Sequence, residues 1–252
     1  MTEKHYERPV AMPNEIFSDM KNWLEVGELK SPHHQEFIYC FYWMIAYLWN
    51  YAKYGEHGYT LGDIKKLLGY NPAEKRLNYI IKKNGLMDQK EYSSSVSDYP
   101  ILWHMNEDKQ MSYTMLADYD KESRAMLNKF NSVNVLVKAP LKSIGNEEED
   151  GLFWNPSNSH MMRGEILVAC TVDKKMNCAA VYMYGLLLML SEKNKYYSKA
   201  DTFQCATKTL VEMTGWDRRK INDTVGLLVD VGLVKKSQNV KKQGEVNWYS
   251  IA

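Results

Sequence analysis

Three consecutive cations, Arg218, Arg219 and Lys220, directly follow Asp217 in the stretch GWDRRKINDTVGLLVDVGLV. Aspartate is a strong helix-capping residue, so the three cations fall in the first helical turn. The positive end of the helix dipole makes such a cluster locally unfavourable unless an anion approaches it. An arginine so placed can pair with a phosphate, or in a two-pronged fashion with O6 and N7 of guanine, discriminating by roughly 1–3 kcal/mol against a wrong base. With Ile221, Val225, Leu228 and Val229 as the buried face, Asn222 and Thr224 would turn toward the same groove. The plainer reading of the cluster is a solvated helix start.

Further cations flank this segment. Lys235, Lys236, Lys241 and Lys242 surround the turn before a closing strand, VNWYSI. On a nucleic-acid surface each phosphate they neutralise would steepen the salt dependence of binding by roughly 0.9 in log-log slope, and the alternative is a solubilising hairpin. A weaker patch, Asn71, Lys75, Arg76 and Asn78, is diluted by Glu74 and fits phosphate or shape contact more readily than base reading. The aromatic stretch FIYCFYWMIAYLWNYAKY, residues 37–54, offers rings for base stacking, but helical spacing marks it as core.

Enzymatic chemistry finds little purchase. The chain lacks a G-x-x-x-x-G-K-[ST] loop, a G-x-G-x-x-G turn and an H-E-x-x-H helix, so neither an enzyme nor a bound cofactor is expected. His33 and His34 lack the apolar residue that separates the two metal-binding histidines of rolling-circle relaxases, and no ligand pair complements them with Cys40. The acidic run Glu147 to Asp150 reads as a solvated loop. Cys40, Cys170, Cys178 and Cys205 are widely spaced and are expected as free, buried thiols.

The net charge of +1 conceals an uneven distribution. Lys and Arg number 5 against 7 acidic residues in 1–54, 7 against 5 in 55–92, 6 against 10 in 93–159 and 14 against 9 in 160–252. The positive excess therefore sits in the two stretches that carry the candidate DNA-facing residues, as a phosphate-facing surface requires. No run of eighteen apolar residues and no apolar leader is present. The expectation is a cytoplasmic protein without membrane spans.

The elements that must position these groups can be read from caps and periodicity. Ile16, Phe17, Met20, Trp23 and Leu24 form an amphipathic helix expected to pack on the domain that follows, and 37–54 a buried helix. Thr60 caps a short helix ended by Gly69; Asn71 and Pro72 start a second, closed by Gly85, with Leu86 and Met87 leading into a strand. A strand pair is expected at 101–103 and 112–116, a helix at 120–130, an acidic linker at 146–151 and a strand at 164–170. A buried helix follows at 179–190, where Gly185 permits close packing. Thr207 then caps a short helix, Gly215 makes a turn, and the helix that Asp217 caps ends at Gly232.

Two segments share one layout: TLGDIKKLLGYNPAEKRLNYIIKKNGLM and TKTLVEMTGWDRRKINDTVGLLVDVGLV. Each has a threonine, a short helix, a Gly-aromatic turn (Gly69-Tyr70; Gly215-Trp216), an Asn or Asp cap, a longer helix and a Gly-Leu close (Gly85-Leu86; Gly232-Leu233). Duplication of one architectural unit explains this better than coincidence.

The repeated layout resembles winged helix-turn-helix DNA-binding proteins, and two copies in one chain are similar to plasmid and phage replication initiators. The resemblance covers about 28 residues of each copy directly, and the rest by order of elements. It implies a mainly α protein with small β-hairpins (α+β), made of two tandem winged-helix domains. The expected division is an extension at 1–30, a first domain with an extended wing at 31–142, an acidic linker at 143–163 and a second domain at 164–252. In such folds the reading helix enters the major groove by its N-terminal part while the wing and basic flanks hold phosphates. The implied function is sequence-specific binding of double-stranded DNA in plasmid or phage replication, with replication or transcription machinery as partner. Alternatives are a transcription regulator, in which a homodimer could read a palindrome, or a winged-helix module that binds protein.

Overall fold

A computed structural model describes residues 9–55, 59–105, 111–129, 136–143, 158–171, 174–238 and 246–252. The fold is mixed α and β, with small antiparallel sheets. It separates into two compact units, one formed by Met1–Met12 with Phe41–Ser157, the other by Pro13–Cys40 with Asn158–Ala252. The opening helix, expected to pack on the domain that follows it, instead belongs to the unit built from the C-terminal part. The acidic run at 146–151 and Lys241 and Lys242 lie outside the described residues.

The first unit begins with strand β1 (Val10–Pro13) and takes in helix α2 (His34–Asn50) from Phe41 onward. Its later helices are α3 (Leu61–Leu67), α4 (Asn78–Ile81), α5 (Leu86–Gln89) and α6 (Lys121–Lys129). Its strands are β2 (Ser93–Ser95), β3 (Pro100–Met105), β4 (Met111–Met115) and β5 (Lys138–Pro140). The core is aromatic: Phe41, Tyr42, Trp43, Tyr54 and Tyr92 are all buried, with the Tyr42 and Tyr92 rings edge to face at 5.6 Å. Phenols and indoles suit such a core because each can bury a large apolar body and still seek one polar partner.

The segment leading into β5 is paired along both edges. Toward β2, Val96 N donates to Val137 O and Leu141 N to Tyr92 O, flanking the Ser93↔Pro140 to Ser95↔Lys138 register. On the other edge Leu136 N donates to Tyr59 O at 2.9 Å, and the Tyr54 hydroxyl donates to Lys138 O at 3.2 Å. The returning strand thus lies between the residues that precede α3 and the strand β2. Between β2 and β5 the chain inserts the β3–β4 hairpin, which covers the strand pair expected at 101–103 and 112–116 except for Leu116, the start of a 3-10 turn.

The second unit holds α1 (Glu15–Glu25), the first turns of α2, β6 (Ser159–Met162), α7 (Gly164–Thr171) and α8 (Cys178–Ser198). There follow β7 (Phe203–Ala206), α9 (Thr207–Thr214), α10 (Arg218–Asp230), β8 (Val234–Gln238) and β9 (Val246–Ile251). The last three strands form an antiparallel sheet in the order β7-β9-β8, so the final strand lies between the other two. Ile16, Phe17, Met20 and Trp23 of α1 are buried, as their spacing requires.

Several local expectations are corrected. Caps and spacing predict one helix over 71–84, but the chain there forms turns with only the four-residue α4. Its backbone groups are claimed locally: Asn71 Oδ1 accepts from Ala73 N, and Glu74 Oε1 from Arg76 N. The carbonyl of Glu74 takes the buried Lys65 ammonium. Gly85 is not a left-handed helix end; Asn84 takes that conformation (φ 57°), while Gly85 is pressed so near the carbonyls of Tyr79, Ile80 and Lys82 that no side chain fits. Leu86 and Met87 lie in α5, not in a strand. Residues 164–170 are helical: Ile166 and Cys170 are buried while Val168 is 48% exposed, a spacing of four that no strand produces. Thr207 is the first helical residue rather than a side-chain cap.

Candidate nucleic-acid interface

The start of α10 is built by a tight turn from α9. Gly215 takes a left-handed conformation (φ 68°), and Asp217 caps α10 by accepting from Lys220 N at 2.8 Å. Both features follow from residue type, since only glycine adopts that backbone freely and a short carboxylate reaches the third helical amide. Buried Ile221, Val225 and Leu228 then fix which side of α10 faces inward.

On the outer side Arg218, Arg219 and Asn222 are exposed. The Arg219 side chain is 92% exposed, and Asp223 one turn on lies 3.8 Å from its guanidinium, a solvated pair that holds little energy. Two expected members are not on this surface. Thr224 is buried and its hydroxyl donates to Lys220 O at 2.7 Å within the helix. Lys220 turns back: its ammonium donates to Glu36 at 2.6 Å and to His33 Nδ1 at 2.6 Å, and lies 4.0 Å from the centre of the Trp216 ring. Val229, expected in the buried face, is 39% exposed.

On β8, Lys235 is exposed and Lys236 half-buried, opposite Ser250 and Tyr249 on β9. In the first unit Asn71, Lys75 and Arg76 are exposed. Arg76 is bound through two nitrogens to Glu74, at 3.0 and 2.8 Å. That interaction, chiefly the side-chain hydrogen bond from Arg76, holds the Glu74 carboxyl down to about 2. Asn78 does not face outward: its Oδ1 accepts from the buried Lys65 ammonium. The patch therefore offers Asn71 and Lys75, with the Arg76 charge matched by Glu74.

Three groupings escaped the sequence reading. Gln35 is fully buried; its amide donates to Thr214 O at 2.7 Å and its oxygen accepts from the Tyr182 hydroxyl at 3.0 Å. Buried Lys138 binds both carboxylate oxygens of Asp88 at 2.6 Å, and desolvation lowers the pKa of its ammonium. His160 is buried with Nε2 against the Tyr39 hydroxyl (2.7 Å) and Nδ1 against Asn14 Oδ1 (2.8 Å), and burial pulls its pKa down to about 3. A glutamine, a lysine or a histidine gives no sequence signal of burial when its partner is many residues distant.

Among the described residues no group of three or more His, Cys, Asp and Glu could hold a metal ion. His33 faces Lys220, and the Cys40 thiol donates to Cys178 O. All four cysteines are free and buried, as expected. Among the described residues no helix is long and apolar enough to cross a membrane. Compared with known protein families, curated proteins and solved structures, the chain finds no match.

Proposed function

We propose that this protein binds double-stranded DNA sequence-specifically through two winged-helix units, the second being the principal reader. The observation that carries the reading is the order in the second unit: long helix α8, strand β7, short helix α9, helix α10, then hairpin β8–β9 with β9 between β7 and β8. That order presents the N-terminal turn of α10 outward with Arg218 and Arg219, and a hairpin bearing Lys235 and Lys236. A helix of this kind offers its first residues to the major groove while a basic hairpin takes phosphates.

The first unit supports a duplicated plan. Residues 59, 136–140 and 93–95 lie in the same relation as β7, β9 and β8, with the capped helix α3 in the place of α9. Its segment 71–84 is broken into turns, so this unit would contribute phosphate or shape contacts through Asn71 and Lys75 rather than a continuous reading helix. Two DNA-contacting units in one chain, one reading bases and one holding phosphate or shape, need no dimer, which favours replication initiation or monomeric regulation over a palindrome-binding repressor.

Selection of binding sites from random duplex DNA tests the proposal. A recovered motif confined to a single half-site-like block is expected if the second unit alone reads bases, and two blocks if both do. Failure to retain any duplex at low salt would leave protein binding as the function of these units.

A further inference from the structure

The turn that delivers α10 is gripped by one upstream segment. Trp216 donates its indole N–H to Pro32 O at 3.1 Å, and Gln35 holds Thr214 O. Around Gly215 the neighbours are Leu24 and Pro32. Lys220 completes the grip, its side chain 18% exposed against a Glu36 side chain 15% exposed, with the Trp216 face beneath it. A lysine held by a carboxylate, an imidazole nitrogen and an aromatic face has its donors and charge occupied. It cannot also reach a phosphate without breaking that shielded pair, a costly exchange.

We propose that Lys220 is a positioning residue: with Glu36, His33 and Trp216 it locks the first turn of α10 against residues 32–36 and thereby aims Arg218 and Arg219. The inference rests on the DNA-binding reading above and assigns the last cation of the RRK cluster a role different from its neighbours. Lys220 acts through those two arginines and touches no DNA itself.

The two roles separate by salt dependence. If Lys220 bound a phosphate directly, Lys220→Met would reduce the log-log salt slope by about 0.9. If Lys220 positions the arginines, the same substitution leaves the slope in place and lowers the preference for the selected duplex over a scrambled one, here by roughly tenfold, the value of one weakened base pairing. Glu36→Gln should reproduce that drop in preference, and the double variant Glu36→Gln/Lys220→Met should be no worse than the poorer single. Without DNA, hydrogen exchange at the Lys220 and Ile221 amides should quicken in Glu36→Gln while the middle of α8 is unchanged. A slope reduced by about 0.9 in Lys220→Met, with Glu36→Gln silent, would overturn the proposal in favour of direct phosphate binding. Wild-type protein that fails to bind duplex overturns the DNA reading and the aiming role with it; duplex binding with unmoved exchange overturns the lock alone.

Discussion

Replacing Gly185 by alanine should destabilise the protein by about 3 kcal/mol, although alanine is the better helix former by about 1 kcal/mol. A β-carbon at 185 would lie 2.0 Å from the Tyr39 hydroxyl oxygen, 2.5 Å from its Cζ and 3.0 Å from its Cε1. The ring would have to retreat by at least about 1 Å in a close-packed interior. It has nowhere to go: Tyr39 is fully buried, stacked on Phe17 at 5.3 Å and on His160 at 5.9 Å, with Tyr182 edge-on at 5.8 Å. Overpacking of this kind costs about 1–3 kcal/mol. Breaking the Tyr39–His160 hydrogen bond in a buried place costs about 1–3 kcal/mol more, and the helix gain offsets only part of the sum. Urea unfolding followed by circular dichroism measures the difference. Gly226 on α10, with nothing within 4 Å of the corresponding β-carbon, is the internal control, and Gly226→Ala should stabilise by about 0.5–1 kcal/mol. Removing the hydroxyl in Tyr39→Phe should recover part of the Gly185→Ala deficit, since the ring carbons still crowd the site. A neutral or stabilising Gly185→Ala would refute the packing described around α8.

Further expectations concern the buried polar groups. Asp88→Asn should cost about 3–5 kcal/mol in urea unfolding, because it strands the Lys138 ammonium in the core; Asp88→Leu/Lys138→Met should cost less than Asp88→Asn. His160 is neutral in the fold with a pKa near 3 against the ordinary 6.5, so the unfolded chain takes up the proton first as pH falls. Its contribution is whole above about 6.5 and is lost progressively toward 3, at up to about 1.4 kcal/mol per pH unit. A His160→Asn variant should show a shallower decline in unfolding free energy across that window, and an identical decline would contradict the assignment.

What is legible in the residues alone depends on where each signal lies. Local chemistry is legible: the Thr60 and Asp217 caps, the left-handed Gly69, Gly215 and Gly232, and the hairpin β3–β4 are written in adjacent residues. Where two local rules compete, sequence reasoning fails. Asn71-Pro72 looks like a helix start, yet Asn71, Glu74 and Lys65 bind the backbone in other ways. The apolar run at 164–170 suits strand and helix alike, and packing decides for helix. Of the RRK cluster, the exposed Arg218 and Arg219 are legible from cap and periodicity. The inward turn of Lys220 is not, because Glu36 and His33 lie 184 and 187 residues away. Thr224 is misplaced by its polarity and not by its position: 221, 224, 225 and 228 follow the spacing of one buried face, and a threonine hydroxyl can be satisfied by the carbonyl one turn back and so be buried without a distant partner.

The salt dependence of duplex binding by Arg218→Ala/Arg219→Ala, set beside Lys53→Ala, tests the reading head at the start of α10 most directly. Removing two phosphate- or base-facing cations should lower the log-log slope by up to about 1.8 and abolish most of the preference for the selected site, with Lys53→Ala near wild type. Equal, small effects in both variants, or a double arginine variant that keeps both the slope and the preference, would contradict it.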